Sequence, residues 1–255
     1  MKFKDHFSKQ AADYAKFRPR YPRKMFEYLA SIAPTQQLAW DCATGSGQAA
    51  IGLADVFDRV IASDASENQI AKAEHHDRVE YRVAPAEDSG LGSNSVDLVM
   101  VAQALHWFDL DRFYTELRHV LKTEGIFAAS AYRFFRITLE IDQLVNHRFY
   151  KEVVGPYWPR ERVLVEKFEN LPFPFGEISI PPFEMSAEWK LEHLLGYLKS
   201  WSATQRFIAA NKRDPLAEIG DELRALWGDP EQPRGIVWPL TLRVGTNAMS
   251  RPPNL

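Results

Sequence analysis

Acidic residues stand where apolar runs break off along the first half of the chain. Asp41 closes "LAW", Asp64 closes "RVIAS", and Glu87 follows "VEYRVAPA". A histidine and a tryptophan, His106 and Trp107, come after "VDLVMVAQAL". Between Asp41 and the next apolar stretch lies Gly45-Ser-Gly47-Gln-Ala-Ala50. It satisfies the G-x-G-x-x-G/A form of a nucleotide loop, in which glycines let backbone N–H groups come close to a ligand. In a dinucleotide loop those N–H groups face a pyrophosphate, and an acid just before them repels that anion. Asp41 is such an acid, so this loop suits a ligand with positive charge near the end of its first strand. Asp64 could accept hydrogen bonds from ribose hydroxyls, and Glu87 could border a purine together with the Ala86 backbone. His106 could take a proton from a hydroxyl or orient a carboxylate, with Trp107 as a pocket wall. It could equally donate to a backbone carbonyl while Trp107 and Phe108 fill the core.

The elements that must hold these residues alternate between strand and helix. Pro22 to Ala33 places Met25, Leu29 and Ile32 on one helical face, with Pro22 at a favourable first-turn position. The strand into Asp41, the loop, and a helix through Leu53 follow. "RVIASD" reads as a second strand, and Ser66 to Gln69 as a capping-box start for the next helix. "VEYRVA" is a third strand, and "VDLVMVAQ" a fourth, continuously apolar as a strand buried on both faces should be. An amphipathic helix from Asp109 closing at Gly125 and a strand over Ile126 to Tyr132 complete this half. Such alternation predicts an α/β fold with a doubly wound, Rossmann-like, mostly parallel sheet. After Tyr132 the rhythm changes. "RITLEIDQLVNHRFYKEVV" and "SAEWKLEHLLGYLKSWSATQRFIAA" read as helices, and the proline-rich "LPFPFGEISIPPFEM" and "PRGIVWPLTLRVGT" as edge or antiparallel strands. The expected organisation is an N-terminal lid and first helix over 1–34, a ligand-binding core over 35–132, and a helical cap with a terminal antiparallel pair over 133–255.

S-adenosylmethionine meets the charge requirement, because it carries a sulfonium and an ammonium and no phosphate. The series Asp41-x-Ala43-x-Gly45-x-Gly47, then Asp64, then "APAED" and "AQALHWFD", resembles class I S-adenosylmethionine-dependent methyltransferases. It is most similar to their small-molecule branch, which includes trans-aconitate methyltransferase-like enzymes, and the likeness covers roughly Phe7 to Tyr132. The resemblance implies that Asp41 lies near the methionyl end, Asp64 at the ribose, Ala86 and Glu87 beside the adenine, and Gln103 beside the cofactor. The family usually has glycine where this chain has Ala43; a negative φ would accept the added methyl and a left-handed one would resist it. "YAKFRPRYP" resembles the segment that covers the cofactor and shapes the acceptor pocket, and Leu194 to Phe207 resembles a lid helix. There Tyr14 could face the sulfonium with its ring, and Arg18 could clamp an anionic acceptor with paired donors. Tyr14 could instead be a helix-edge aromatic and Arg18 a solvated cation. Tyr21, before Pro22, stands on the acceptor side and also reads as a packing residue. The implied reaction is methyl transfer to oxygen, a carboxylate or hydroxyl, of a small acceptor by in-line displacement. An NAD(P)-dependent oxidoreductase and a catalytically silent cofactor-binding protein are the alternatives.

Composition narrows the field further. A formal charge of −3 over 255 residues gives no general electrostatic case for nucleic acid or anionic membrane. One cysteine, Cys42, excludes an intramolecular disulfide and reads as a small core residue. "EHHD" at Glu74 to Asp77 lacks the spacing of converging metal ligands, so no metal site is expected. The lack of an apolar signal core or long apolar span points to a cytoplasmic protein, monomeric or homodimeric, whose partner is a small molecule.

Overall fold

The computed structural model describes residues 18–159 and 168–247. Pro22, at φ −71° and ψ 133°, leads into α1 (Arg23–Ile32), which buries Met25, Phe26, Leu29 and Ala30. β1 (Leu38–Cys42) is followed by α2 (Gln48–Ala54), β2 (Arg59–Asp64) and the single-turn α3 (Glu67–Ile70). Ser66 caps α3, its Oγ accepting the Gln69 N–H. β3 (Val79–Val83), β4 (Val96–Ala102), a 3₁₀ turn at Leu105–Trp107, α4 (Leu110–Val120) and β5 (Leu121–Tyr132) complete the first half. The second half holds α5 (Leu139–Gln143), which runs on as a π-helix over Leu144–Val153, then β6 (Gly176–Glu177) and β7 (Phe183–Trp189). α6 (Leu191–Lys199), α7 (Ser202–Asn211), α8 (Gly220–Trp227) and β8 (Arg234–Thr246) follow.

The strands form one sheet in the order β3-β2-β1-β4-β5-β8-β6, with β7 also on β8. β1 through β5 run parallel and β8 is antiparallel to β5. Alternation along β4 decides which layer each side chain joins. Leu98 and Met100 meet α1 and α2, while Val99 and Val101 meet α4 through Phe113 and Leu117. Chain direction reverses its sense of progression between β1 and β4, so a crevice forms beyond the carboxyl ends of these strands. The third apolar cluster lies in the cap, where Phe149, Leu194, Trp227 and Trp238 are buried.

Three boundaries differ from the sequence pattern. α4 ends at Val120, not Gly125, because Asn94 and Ser95 donate their N–H groups to the carbonyls of His119 and Val120. Leu121 turns extended and pairs with Val96, and the ladder shifts register before Leu98 pairs with Ile126. Ser186 to Trp189 is strand, with Met185 and Trp189 buried and Glu184, Ser186 and Glu188 exposed, because its partner β8 is long enough to extend it. The expected single lid helix is two: Trp201 is extended between α6 and α7, and Ser200 and Thr204 hydroxyls donate to the Tyr197 and Leu198 carbonyls that the break would leave open. β8 is also no edge strand, since it lies between β5 and the β6 and β7 segments.

At the end of the sheet away from the crevice, the fully buried Asp97 accepts from Thr35 Oγ1 at 2.6 Å, Leu38 N at 2.9 Å and Lys122 Nζ at 2.8 Å. Lys122→Met should lower the unfolding free energy by about 1–3 kcal/mol, below the usual cost of breaking a buried pair because two donors to Asp97 persist. Urea denaturation measures it, and an unchanged midpoint would show that the ammonium adds nothing to the two remaining donors.

Candidate functional site

The loop after β1 turns left-handed at Ala43, Gly45 and Gly47, with φ of 57°, 58° and 88°. Three such residues in so short a span need tethers. Thr44 N donates to Ser63 O at 2.9 Å, and Gly45 N donates to Asp64 Oδ2 at 3.0 Å. The other Asp64 oxygen accepts from Ser66 N at 2.8 Å. Asp64 thus ties the β1 loop to the start of α3, a structural duty that its sequence position alone did not reveal. A methyl on Gly47 would stand 2.3 Å from the Tyr81 hydroxyl, which itself donates to Glu74 O at 2.6 Å. Only glycine fits there. Alanine at position 43, by contrast, bears the cost of a left-handed backbone that the family's usual glycine avoids.

Asp41 closes β1 with no solvent exposure. Its Oδ2 accepts from Thr44 Oγ1 at 2.5 Å, and its buried Oδ1 has no hydrogen-bond partner. Burial pushes its pKa up to about 7; the Thr44 hydrogen bond and the nearby Ala50 backbone oppose the rise, and the Asp64 charge adds to it. A carboxyl in that state takes a proton when alone and ionises when a cation arrives. An orphaned acid oxygen beside a glycine-opened loop fits the cationic end of S-adenosylmethionine and would oppose a pyrophosphate.

The remaining strand ends converge on the same crevice. Ala86 is buried, and Glu87 Oε1 accepts from Asp109 N at 3.0 Å, which joins the loop after β3 to the start of α4. Gln103 leaves β4 in a left-handed conformation, φ 59°, with its N bonded to Ser130 O at 2.8 Å and its Nε2 to Tyr132 O at 2.7 Å. A non-glycine residue held in that region at a strand end is a mark of functional sites. His106 is buried in the 3₁₀ turn, its ring centroid 4.9 Å from that of Trp107.

A cavity of about 100 Å³ is lined by Arg18, Gln103, His106 and Trp107, while Asp41, Ala43, Gly45, Gly47, Asp64, Ala86 and Glu87 are not in its lining. The guanidinium carbon of Arg18 stands 5.1 Å above the ring of Tyr197. Tyr21 does not line the cavity; it packs edge-on against Phe26 and Tyr132, at 6.3 and 6.4 Å. Tyr14 lies outside the described residues. The cap supplies the rest of the wall: Tyr197 and Trp201 from the stretch likened to a lid helix, and Arg133, Phe134, Tyr150 and Trp158, which sequence reasoning did not place at the site. The π-helix presents Tyr150, whose carbonyl accepts from the Trp158 indole at 3.3 Å, consistent with the tendency of such distortions to sit at functional places. No Asp or Glu is among the described lining residues. No group of three metal-capable side chains occurs among the described residues.

Comparison with known proteins agrees with this geometry. Residues 40–129 match the family described as "Methyltransferase domain". The chain is 36% identical over 226 residues to a protein of Dictyostelium discoideum assigned as a methyltransferase, covering 87% of this chain and 86% of that one. A Saccharomyces cerevisiae protein assigned as an S-adenosylmethionine-dependent methyltransferase is 27% identical, with 82% of this chain and 85% of the other covered. A solved structure from Anaeromyxobacter dehalogenans, assigned as a type II methyltransferase, superposes with a TM-score of 0.85 at 48% identity, covering 91% of this chain and 98% of that one.

Two outcomes follow from the loop. The Asp41 pKa is raised on folding, so its contribution to the ligand-free fold is fully present below about pH 4 and is lost as pH rises through about 7. Binding a cation there must expel the proton. Calorimetric affinity for S-adenosylmethionine should therefore strengthen by up to about tenfold per pH unit between 5 and 7 and level off above. Asp41→Asn should flatten that profile; a flat profile in the unaltered protein would rule out the carboxyl as the cation's partner. Ala43→Gly should raise the urea-unfolding free energy by up to about 1 kcal/mol, against the usual direction for this exchange, and a loss of stability would show the left-handed strain to be absent.

Proposed function

This chain belongs to the class I S-adenosylmethionine-dependent methyltransferases, and we propose that it methylates an oxygen, carboxylate or hydroxyl, of a small-molecule acceptor held under the cap. The observation that carries this reading is the cavity itself, aromatic, with two guanidiniums and an imidazole and no described carboxylate. Such a lining favours an acidic, largely apolar acceptor. The division into an N-terminal lid over 1–34, a cofactor core over 35–132 and a cap over 133–255 belongs to the same reading, as does kinship with the trans-aconitate methyltransferase-like branch.

When bound, S-adenosylmethionine supplies an electrophilic methyl carbon on a sulfonium that becomes a neutral thioether once the methyl is transferred. Asp41 carries the countercharge for the methionyl end, and the left-handed turns at Gly45 and Gly47, with Ala43, let the backbone come close. Asp64 stands at the ribose while holding Gly45 N and Ser66 N. Ala86 and Glu87 border the adenine and Gln103 stands between cofactor and acceptor. Arg18 clamps the acceptor's anionic group, and Trp107 walls the pocket. His106 orients the acceptor, or takes the proton of a hydroxyl; a carboxylate needs no base. Tyr21 acts through its packing on Tyr132. The cap excludes water, and positioning does most of the remaining work of an in-line displacement.

An oxidoreductase is disfavoured by the buried acid at Asp41, and a silent binding protein by the open cavity next to His106. A small-molecule acceptor and a formal charge of −3 go with the reading of a protein that works without nucleic acid or membrane, in the cytoplasm. No helix among the described residues is long and apolar enough to cross a membrane.

Labelled cofactor screened against small carboxylic acids, phenols and RNA tests the reading. Incorporation into an acid or phenol is expected, as an alkali-labile ester for the acid; label only in RNA would overturn it. On the accepted substrate, His106→Ala should lower kcat by about tenfold or more, and an unchanged kcat would remove the histidine from the mechanism.

A further inference from the structure

The cap half of the cavity contains one cation that neither the motifs nor the family likeness singled out. Arg133 directly follows β5, and its neighbour Tyr132 is fixed twice, by pairing with Leu240 of β8 and by accepting Gln103 Nε2 at 2.7 Å. The backbone at the root of Arg133 is therefore set by the sheet and by a strand-end residue of the site. Arg133 is exposed and yet lines the cavity, whereas Arg18 is half-buried. Of the two arginines in the lining, Arg133 is the more open to solvent.

We propose that Arg133 is a specificity-determining residue that selects acceptors combining one carboxylate with a flat unsaturated or aromatic body. This rests on the reading of the cavity as the acceptor site. The charge half of the argument is complementarity: a solvent-exposed guanidinium attracts anions from solvent and offers paired donors to a carboxylate, without the desolvation cost of full burial. The shape half comes from the walls. Trp107, Phe134, Tyr150, Trp158, Tyr197 and Trp201 line the cavity from several separate elements, an aromatic lining that suits a flat apolar body. The same walls disfavour an aliphatic polyacid. Its saturated body has no flat face to set against the aromatic lining, so it would gain less from the rings for each carboxylate it strips of water.

Calorimetry with the full chain saturated in S-adenosylhomocysteine tests this with three probes: cinnamate, the uncharged cinnamamide, and tricarballylate as an aliphatic polyacid. Cinnamate should bind about tenfold or more tightly than cinnamamide, the scale of a charge-assisted pair. Arg133→Gln should remove a measurable part of that preference, Arg18 holding the rest, and leave affinity for S-adenosylhomocysteine unchanged. Arg133→Lys should restore part of it, and added salt should weaken cinnamate binding to the unaltered protein more than to the glutamine variant. Failure of cinnamate to bind, equal binding of cinnamate by Arg133→Gln, or tighter binding of tricarballylate would each overturn the proposal. Arg133-dependent binding without methylation of any acid or phenol would sustain it and overturn the O-methyl reading instead. The side chain is exposed, so these exchanges leave the core intact.

Discussion

A chain that leaves a fully buried strand and must turn left-handed three times before its next helix can do so only if something holds the turns. Here that something is a carboxylate on the neighbouring strand. Asp64 accepts Gly45 N with one oxygen and Ser66 N with the other, so the loop after β1 and the helix start after β2 are fixed to each other. Gly47 then rests so close to the Tyr81 hydroxyl that no side chain fits. The backbone N–H groups of the loop, the orphaned oxygen of Asp41 and the floor of the crevice all take their positions from this arrangement. An acid at the end of β2 serves the fold before any ligand arrives.

The opposite wall follows a different logic. The cap has its own apolar cluster, centred on Phe149, Leu194, Trp227 and Trp238, and it is joined to the sheet through β8, which pairs with β5 along Ile126 to Tyr132. That pairing lets residues beyond β5 face residues beyond β4. Gln103, in its left-handed conformation, reaches across to the Tyr132 carbonyl, and the cavity opens where the two halves meet. Strand ends thus supply one side of the cavity, through Gln103, while the cap supplies most of its rings and one of its two arginines.

Local pattern and long-range pairing competed at particular residues. "RVIASD" and "VDLVMVA" were readable because they are short, carry β-branched residues and alternate with helical stretches, which together favour buried strands. Leu121 to Gly125 continues a helical pattern, yet joins β5 because Val96, Asn94 and Ser95 offer partners and because Asp97 draws in Lys122. Ser186 to Trp189 shows the same competition: its period-two burial was legible in principle, but helix-forming Ala187 and Glu188 masked it until β8 was known to extend beside it. Ala43 could not be settled from its side chain at all, since a methyl group is acceptable or strained only according to a φ that the tethers decide.

By itself, the sequence determined the order of strands and helices, the acids at their ends and the charge logic that favours a cationic cofactor over a pyrophosphate, because these depend on residue type and near-neighbour spacing. Only the tertiary structure decided which distant residues share the cavity. Arg133, Tyr150 and Trp158 lie in segments with no motif, and they reach Gln103 and His106 from 27 or more positions away, and Arg18 from more than a hundred, through sheet pairing and cap packing. Tyr21 shows the converse: close in sequence to Arg18, it packs against Tyr132 instead of lining the cavity. Proximity along the chain says which way a residue can point only within one element; between elements, packing decides.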